Sequence, residues 1–256
     1  RMYRALIALL LSATFISPAN ANTPPATFSF TGSGLGHGVG LSQIGAKALA
    51  NQGKSAEEIL SYYYTGVKVE PEIDNFDLKI NIGHLLTAAN LQLVSKTGFL
   101  KINDYQISDN QSIATFKYTP SGIATQIKRN KLVIANLPAA NNILIQWSGT
   151  RFLPGDPALI AFNPGKSIQY QYGQIELTIV GKSFEATNTV RLKDEYLYGV
   201  SEVSSAWPKE SLRAQAIAAR TYALNKGINL RPSCVCNLYG TTQDQVFVGA
   251  AKLLEP

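Results

Sequence analysis

The spacing of apolar positions changes along this chain, and each change marks a different element. From Leu41 to Ala50 apolar and small residues follow a helical spacing, which Gly53 ends. Ser55-Ala56-Glu57-Glu58 then forms a capping box, with Ser55 as cap and Glu58 three residues on. The helix it starts runs through Ile59, Leu60 and Tyr63 to Gly66. Beyond it the period drops to two. Leu78–Ile82, Leu91–Val94, Ile143–Trp147 and Ile175–Ile179 alternate apolar and polar residues, as half-buried strands do. Turn residues at Thr97-Gly98, Pro120-Ser121-Gly122, Pro154-Gly155-Asp156 and Val180-Gly181-Lys182 separate such segments. Residues 67–190 therefore read as a β-rich region. The helical period returns after Trp207-Pro208, where proline suits a first turn, and runs from Lys209 to Leu224 before Gly227. Leu212, Ala216, Ala219 and Ala223 make one stripe, and Ala214, Ile217, Ala218 and Thr221 a second, so the helix is expected to be buried on most sides. Gln215 and Arg220 sit on that helix, and buried polar groups need partners, so both are expected to order something nearby. The fold class is α+β: a β-rich middle, a buried helix, and an N-terminal Gly-rich loop with two short helices.

The first residues bear on compartment. Arg1 and Arg4 precede an uncharged apolar run, Ala5–Ile16; Ser17-Pro18 breaks it, and Ala19-Asn20-Ala21 is a small-x-small site. That order reads as a secretory signal peptide over residues 1–21. The run is too short for a bilayer span, which takes roughly 20 residues. No later stretch is long and apolar enough to span either, so the mature chain is expected outside the cytoplasm without a membrane span. Without Arg1 and Arg4 the net charge falls from +6 to +4, with 21 basic and 17 acidic residues left. Such a mild excess suits an anionic envelope. It is far from a nucleic-acid footprint, because no basic stripe interleaves with aromatics. Hydrophobic residues make up 45%, enough for a real core, and two cysteines are too few for a disulfide scaffold.

Three places carry possible chemistry. Glu202 is a lone acid among small and aromatic residues in the segment Tyr196–Pro208, just before the buried helix. It reads either as a general acid, since apolar surroundings disfavour the carboxylate ion, or as a loop carboxylate held by backbone N–H groups. Gly32-Ser33-Gly34-Leu35-Gly36-His37-Gly38-Val39-Gly40 lets backbone approach a ligand and presents an imidazole, with Ser42 and Gln43 soon after. It reads equally as a tight structural turn. No Walker lysine and threonine follow, so it is not a phosphate loop. Cys234-Val235-Cys236 offers zinc-ligating thiols, a bond across one residue, or free structural thiols. With only His37 and His84 as imidazoles no metal is assigned, and nothing calls for another cofactor.

At these residues the sequence resembles the stage II sporulation protein D family, also called the amidase enhancer family. Three motifs carry the resemblance. The first is Gly34 through Ala46, with Ile59-Leu60 and Tyr63-Tyr64-Thr65-Gly66. The second is Glu195 through Val200 with Glu202, Trp207-Pro208, and Leu212 to Leu224. The third is Cys234-x-Cys236 with Thr241-Thr242 and Asp244-Gln245-Val246-Phe247-x-Gly249. The resemblance implies lytic cleavage of peptidoglycan glycan strands, with Glu202 as the catalytic acid and base. A second carboxylate is not needed, because the sugar's own 6-hydroxyl is the nucleophile; two-carboxylate hydrolases differ in this. It further implies that His37, Ser42 and Gln43 line the substrate groove and that Gln215, Arg220 and Tyr222 belong to the catalytic-helix motif. The glycine loop precedes the catalytic segment here, whereas in the sporulation protein it follows.

The expected organisation is a signal peptide (1–21), the Gly-rich groove motif with its helices (22–66), the β-rich region (67–190) and the start of a catalytic domain (191–256). The family's domain continues past the third motif, so the last part is expected to be incomplete. The expected activity is that of a lytic transglycosylase, secreted and acting at the cell wall. The rivals are a non-catalytic enhancer that binds glycan or a cell-wall amidase, and a β-rich wall-binding protein.

Overall fold

The computed structural model describes residues 27, 29, 40–163 and 168–254. The signal-peptide reading and most of the glycine loop, His37 included, lie outside the described residues. The fold is α+β and mostly strand. Two helices open it, α1 (Gln43–Asn51) and α2 (Ala56–Tyr63). Ser42 caps α1 through Gly45 N–H, and the Ser55–Glu58 capping box of α2 is fully formed. Strands follow: β1 (Asp77–Leu86), β2 (Ala88–Leu93), β3 (Leu100–Ile102), β4 (Tyr105–Ile107), β5 (Ser112–Thr119), β6 (Gly122–Arg129), β7 (Leu132–Ala140), β8 (Asn142–Trp147), β9 (Ile160–Phe162), β10 (Gln169–Tyr170), β11 (Gln174–Val180) and β12 (Ser183–Arg191). After a π-helical turn, Leu192–Tyr196, come the short α3 (Leu197–Gly199), the long α4 (Lys209–Lys226) and β13 (Leu238–Tyr239).

The strands form two sheets, ordered β13-β1-β12-β11-β8-β3-β4 and β10-β9-β2-β5-β6-β7. Pairing is antiparallel throughout except β1 with β13. Side chains from both sheets, among them Leu91, Phe116, Ile145, Trp147 and Phe184, share one core. The four segments with clean alternation lie in strands, except for Val94, which follows the end of β2. The signals for the others are weaker. Asn130 and Lys131 both have positive φ, 49° and 69°, so they make the two-residue turn whose twist suits the β6–β7 hairpin; asparagine tolerates that conformation. Gly181, at φ 63°, does the same work between β11 and β12.

Strand β12 has no readable apolar alternation, yet all but its last residue are buried. It is central, with β1 on one side and β11 on the other. Its polar residues are inside: Glu185 is fully buried and accepts from Asn81 Nδ2 (2.7 Å) and Leu85 N–H (3.0 Å), with His84 Nδ1 at 2.9 Å. These donors replace the water a carboxylate loses on burial.

α4 starts after Pro208 and ends at Gly227, as its apolar spacing requires. Its burial is narrower than the two stripes imply. Ser211, Ala214, Ala219 and Ala223 are buried, whereas Leu212, Ala216, Ile217 and Ala218 are only partly covered. Thr221 is exposed and donates to the Ile217 carbonyl. α1 and α2 pack on one side of α4 through Ala46, Ala56, Ile59, Leu60 and Ala214. Glu210 fastens that contact by accepting the Ala56 N–H at 2.9 Å. The small side chains predicted on α4 are what lets the two helices come close.

Candidate functional site

Glu202 lies between α3 and α4, on a short strand-like stretch held by the chain after β13. Val200 bridges Phe247, and Ser201 N–H donates to the Val246 carbonyl at 2.8 Å. In return Val246 N–H donates to Glu202 Oε1 at 2.9 Å. The other oxygen, Oε2, faces Gln43 Nε2 at 3.5 Å, the outer limit of a hydrogen bond. The backbone N–H reading of Glu202 thus has its counterpart at one oxygen, and the other is turned toward the first turn of α1.

The floor under Glu202 is aromatic. Tyr196 is fully buried, donates to Gln245 Oε1 at 2.7 Å, and stacks on Phe247 at 5.7 Å with 12° between the rings. Burial, followed by the nearby Glu202 charge, pushes its phenol well above the ordinary range, so it stays a neutral donor. Gly199 allows the layer to close, because a Cβ there would come within 2.3 Å of the Phe247 ring. The Gln245-Val246-Phe247 part of the third motif is therefore the bed of the Glu202 segment. That role was not legible in the sequence, since a backbone N–H carries no side-chain signature.

Beside Glu202 is a cavity of about 180 Å³ between this segment and the first half of α4. Val200, Leu212, Ala216 and Ala219 are among its apolar walls, and Glu202, Ser205 and Gln215 supply polar ones. Glu202 is the one ionisable side chain among the described residues that line it. Leu212 and Ala216 are only partly covered because this cavity lies against them.

The other expected site residues are placed as follows. Gln43 reaches Glu202. Ser42 is exposed and caps α1. Gln215 lines the cavity, but Arg220 and Tyr222 do not. Arg220 Nε lies 2.8 Å from Asp74 Oδ2, an ion pair without a well-aligned N–H bond. Tyr222 donates to Asp244 Oδ1 at 2.7 Å. Asp244 also accepts from Arg231 twice, at 2.8 and 3.0 Å, and from Tyr239 N–H at 2.8 Å. Burial raises the Asp244 carboxyl pKa, but Arg231, the Tyr239 N–H and Tyr222 outweigh it and hold the group below the usual range. Burial and the same carboxylate push the Tyr222 phenol up to about 12. Lys47 of α1 stands 5.0 Å over the Trp207 ring, a second tie between α1 and the Glu202 segment.

Cys234 and Cys236 are joined by a disulfide and fully buried. This decides among the three readings left open for the pair. Among the described residues no group of three or more His, Cys, Asp or Glu side chains is arranged for a metal ion.

Parts of this sequence have known relatives. Residues 180–255 match the family model of the stage II sporulation protein. Stage II sporulation protein D of Bacillus amyloliquefaciens is 50% identical over 50 residues, covering 20% of this chain and 14% of that protein. The amidase enhancer of Bacillus subtilis is 51% identical over 39 residues, 15% of this chain and 6% of the enhancer. An uncharacterized protein of Brachyspira hyodysenteriae is 38% identical over 91 residues, 34% of this chain and 23% of its own length. The chain therefore spans a small part of the curated relatives it matches. No solved structure matches it.

Proposed function

We propose that this protein remodels the bacterial cell wall as a peptidoglycan lytic transglycosylase, with Glu202 as its acid and base. The observation that carries the reading is the single ionisable group on the cavity. A hydrolase of the usual kind needs two carboxyl groups, either about 5 Å or about 6.5–9.5 Å apart. Only Glu202 is available among the described residues lining this cavity. One carboxyl suffices when the sugar supplies the nucleophile. Glu202 protonates the glycosidic oxygen as the C1–O bond breaks. The resulting carboxylate then takes the proton of the muramic acid 6-hydroxyl, whose oxygen closes on C1 as a 1,6-anhydro ring. One proton goes to the leaving oxygen and another is taken from the 6-hydroxyl, so the group is reset without water.

Val246 N–H occupies Oε1, so Oε2 is the oxygen that carries the proton, and Gln43 orients it. Gln215 contacts the sugar within the cavity. Arg220 and Tyr222 act on the site through the scaffold, from Asp74 and Asp244. Ser42 belongs to the same groove in this proposal. Action on wall glycan requires export, which the apolar start of the chain supports; no helix among the described residues is long and apolar enough to cross a membrane.

The test is digestion of purified sacculi, with products separated by liquid chromatography and identified by mass. The protein is expected to release 1,6-anhydro-muropeptides. Glu202→Gln, folded by circular dichroism, is expected to lose this activity by about 10²–10⁴-fold, the range for a proton-transfer group. Anhydro products released at an unchanged rate by the variant would overturn the proposal. The match to an amidase enhancer favours a second reading, stimulation of a cell-wall amidase. Under it, amidase stimulation survives Glu202→Gln.

A further inference from the structure

A sheet edge is an open row of backbone N–H and C=O groups, and most edges of this fold are blunted by being short. The seven-stranded sheet ends in β13 and β4, of two and three residues. The six-stranded sheet ends on one side in β10, of two residues, whose Gln169 also bridges Gly249. Its other edge is β7, nine residues long, and among the described residues only β6 pairs with it. β7 opens with Leu132, Val133 and Ile134, which are 72%, 48% and 48% exposed. Val133 lies opposite Lys128, and Lys128 opposite Ile113, itself 38% exposed, so apolar surface continues from the edge onto the outer face of the sheet. An edge guarded against pairing carries lysine at such positions, whereas this one carries aliphatic side chains that favour strands. Two features limit what can add there. Ile127 pairs with Ala135 and Lys128 with Val133, so Ile134 is the extra residue of a bulge and the edge is not flat. Pro138 has no N–H, so a ladder stops before it and the open stretch is 132–137. The start of that stretch is basic, with Lys128 and Arg129 on β6 and Lys131 in the turn. Among the described residues neither lysine is in an ion pair, and Arg129 has only Asp109, at 3.9 Å.

We propose that the first half of β7 is a docking edge for a partner protein, which adds an extended segment to the sheet with its acidic side chains beside the β6–β7 turn. A row of alternating backbone donors and acceptors is matched by another extended backbone, so the occupant is a polypeptide strand. Every second side chain of that strand falls on the face that shows Val133 and Ile113, so apolar residues suit those positions. Lys128, Arg129 and Lys131 favour acidic residues at the end nearest the turn and disfavour basic ones. A second copy of this chain does not answer that charge. Antiparallel pairing of β7 with itself about Ile134 would set Lys131 opposite Leu137, and β7 contains no acidic residue. None of these residues lines the cavity beside Glu202, so the inference stands apart from glycan cleavage.

The experiment measures binding of fluorescent synthetic peptides to the full chain by anisotropy. The probe alternates threonine and valine over about six residues, the length of the open stretch, and ends in two aspartates. One control ends in two lysines instead, and another carries proline in the middle and so breaks the ladder. The acidic probe is expected to bind at least about tenfold more tightly than either control. Val133→Lys, at an exposed position, is expected to weaken the acidic probe by about tenfold, and Lys131→Glu to narrow its lead over the lysine-ended peptide. Hydrogen exchange read by mass spectrometry should slow over residues 132–137 when the acidic probe is bound. Absence of binding overturns the inference, as does binding that the central proline or Val133→Lys leaves unchanged. Equal binding of the acidic and lysine-ended peptides overturns the acidic partner. A dimer of the unaltered chain in sedimentation velocity that Val133→Lys abolishes overturns it in favour of a second copy. The comparison of peptides on the unaltered protein holds whether or not either variant folds.

Discussion

Asp244 holds more of the site together than its place in the sequence implies. Its side chain is 4% exposed, and it accepts from Arg231, the Tyr239 N–H and Tyr222. It thereby joins the last turns of α4 to β13 and to the loop that carries Val246. Asp244→Asn removes the charge and leaves Arg231 facing a neutral group. We expect a loss of about 2–3 kcal/mol at neutral pH, read from urea unfolding. The folded carboxyl is held below its ordinary value, so its contribution is fully present above the unfolded aspartate pKa of about 4. It is lost as pH falls through the lower, folded value. The gap between the natural protein and Asp244→Asn should therefore shrink below about pH 4. A gap that stays constant into strong acid would count against this assignment. Tyr222, at about 12, remains a neutral donor through that range.

At the scale of elements, the capping box of α2 and the disulfide bear on how the site is held. Ser55 Oγ accepts from Glu58 N–H at 3.2 Å, and Glu58 accepts from Ser55 N–H at 2.8 Å. The Glu58 carboxyl, bonded to Lys54 and then to Ser55, is held down at about 2. Ser55→Ala is expected to cost about 1 kcal/mol, the usual loss for such a cap, visible as a lower urea midpoint with an unchanged slope. Because α2 packs on α4 and not on Glu202 itself, the proposed glycan cleavage should be unchanged in this variant. The Cys234–Cys236 bond closes a very short loop. The chain-entropy estimate for three residues is about 1.6 kcal/mol, small beside longer crosslinks. Replacing both cysteines by alanine should lower stability by roughly that amount, and a loss of several kcal/mol would show that the bond does more than restrict the unfolded chain.

At the scale of the molecule, residues 39–256 form one compact unit, and the segment matching the sporulation family is woven into it. β12 lies between β1 and β11, among the described residues β13 pairs only with β1, and Leu192, Tyr196, Ala223, Leu238 and Phe247 join the core shared by the two sheets. Residues 180–255 expressed alone would lack β1, leaving β12 with an open edge and β13 with no partner. We expect such a fragment to show an unfolded circular dichroism spectrum and no cooperative melting. A cooperative transition in the fragment would contradict the shared core. The same arrangement brings α1, far earlier in the chain, within reach of Glu202.

How much of this was legible in the chain itself follows from what each feature depends on. Helix starts and stops, the capping box and the four alternating strands depend on neighbours within a few residues, so local pattern determined them. The three motifs and the lone acid could be read as a family pattern with one catalytic candidate. β12 could not be read, because its polar residues are buried by elements far off in sequence, and burial there is satisfied by Asn81, His84 and Leu85. Nor could the separate fates of Gln215, Arg220 and Tyr222, which share one helix but meet a cavity, Asp74 and Asp244. Tertiary structure alone decided that the Val246 N–H takes one oxygen of Glu202 while Gln43 faces the other, since those contacts span 44 and 159 residues and leave no trace in local spacing.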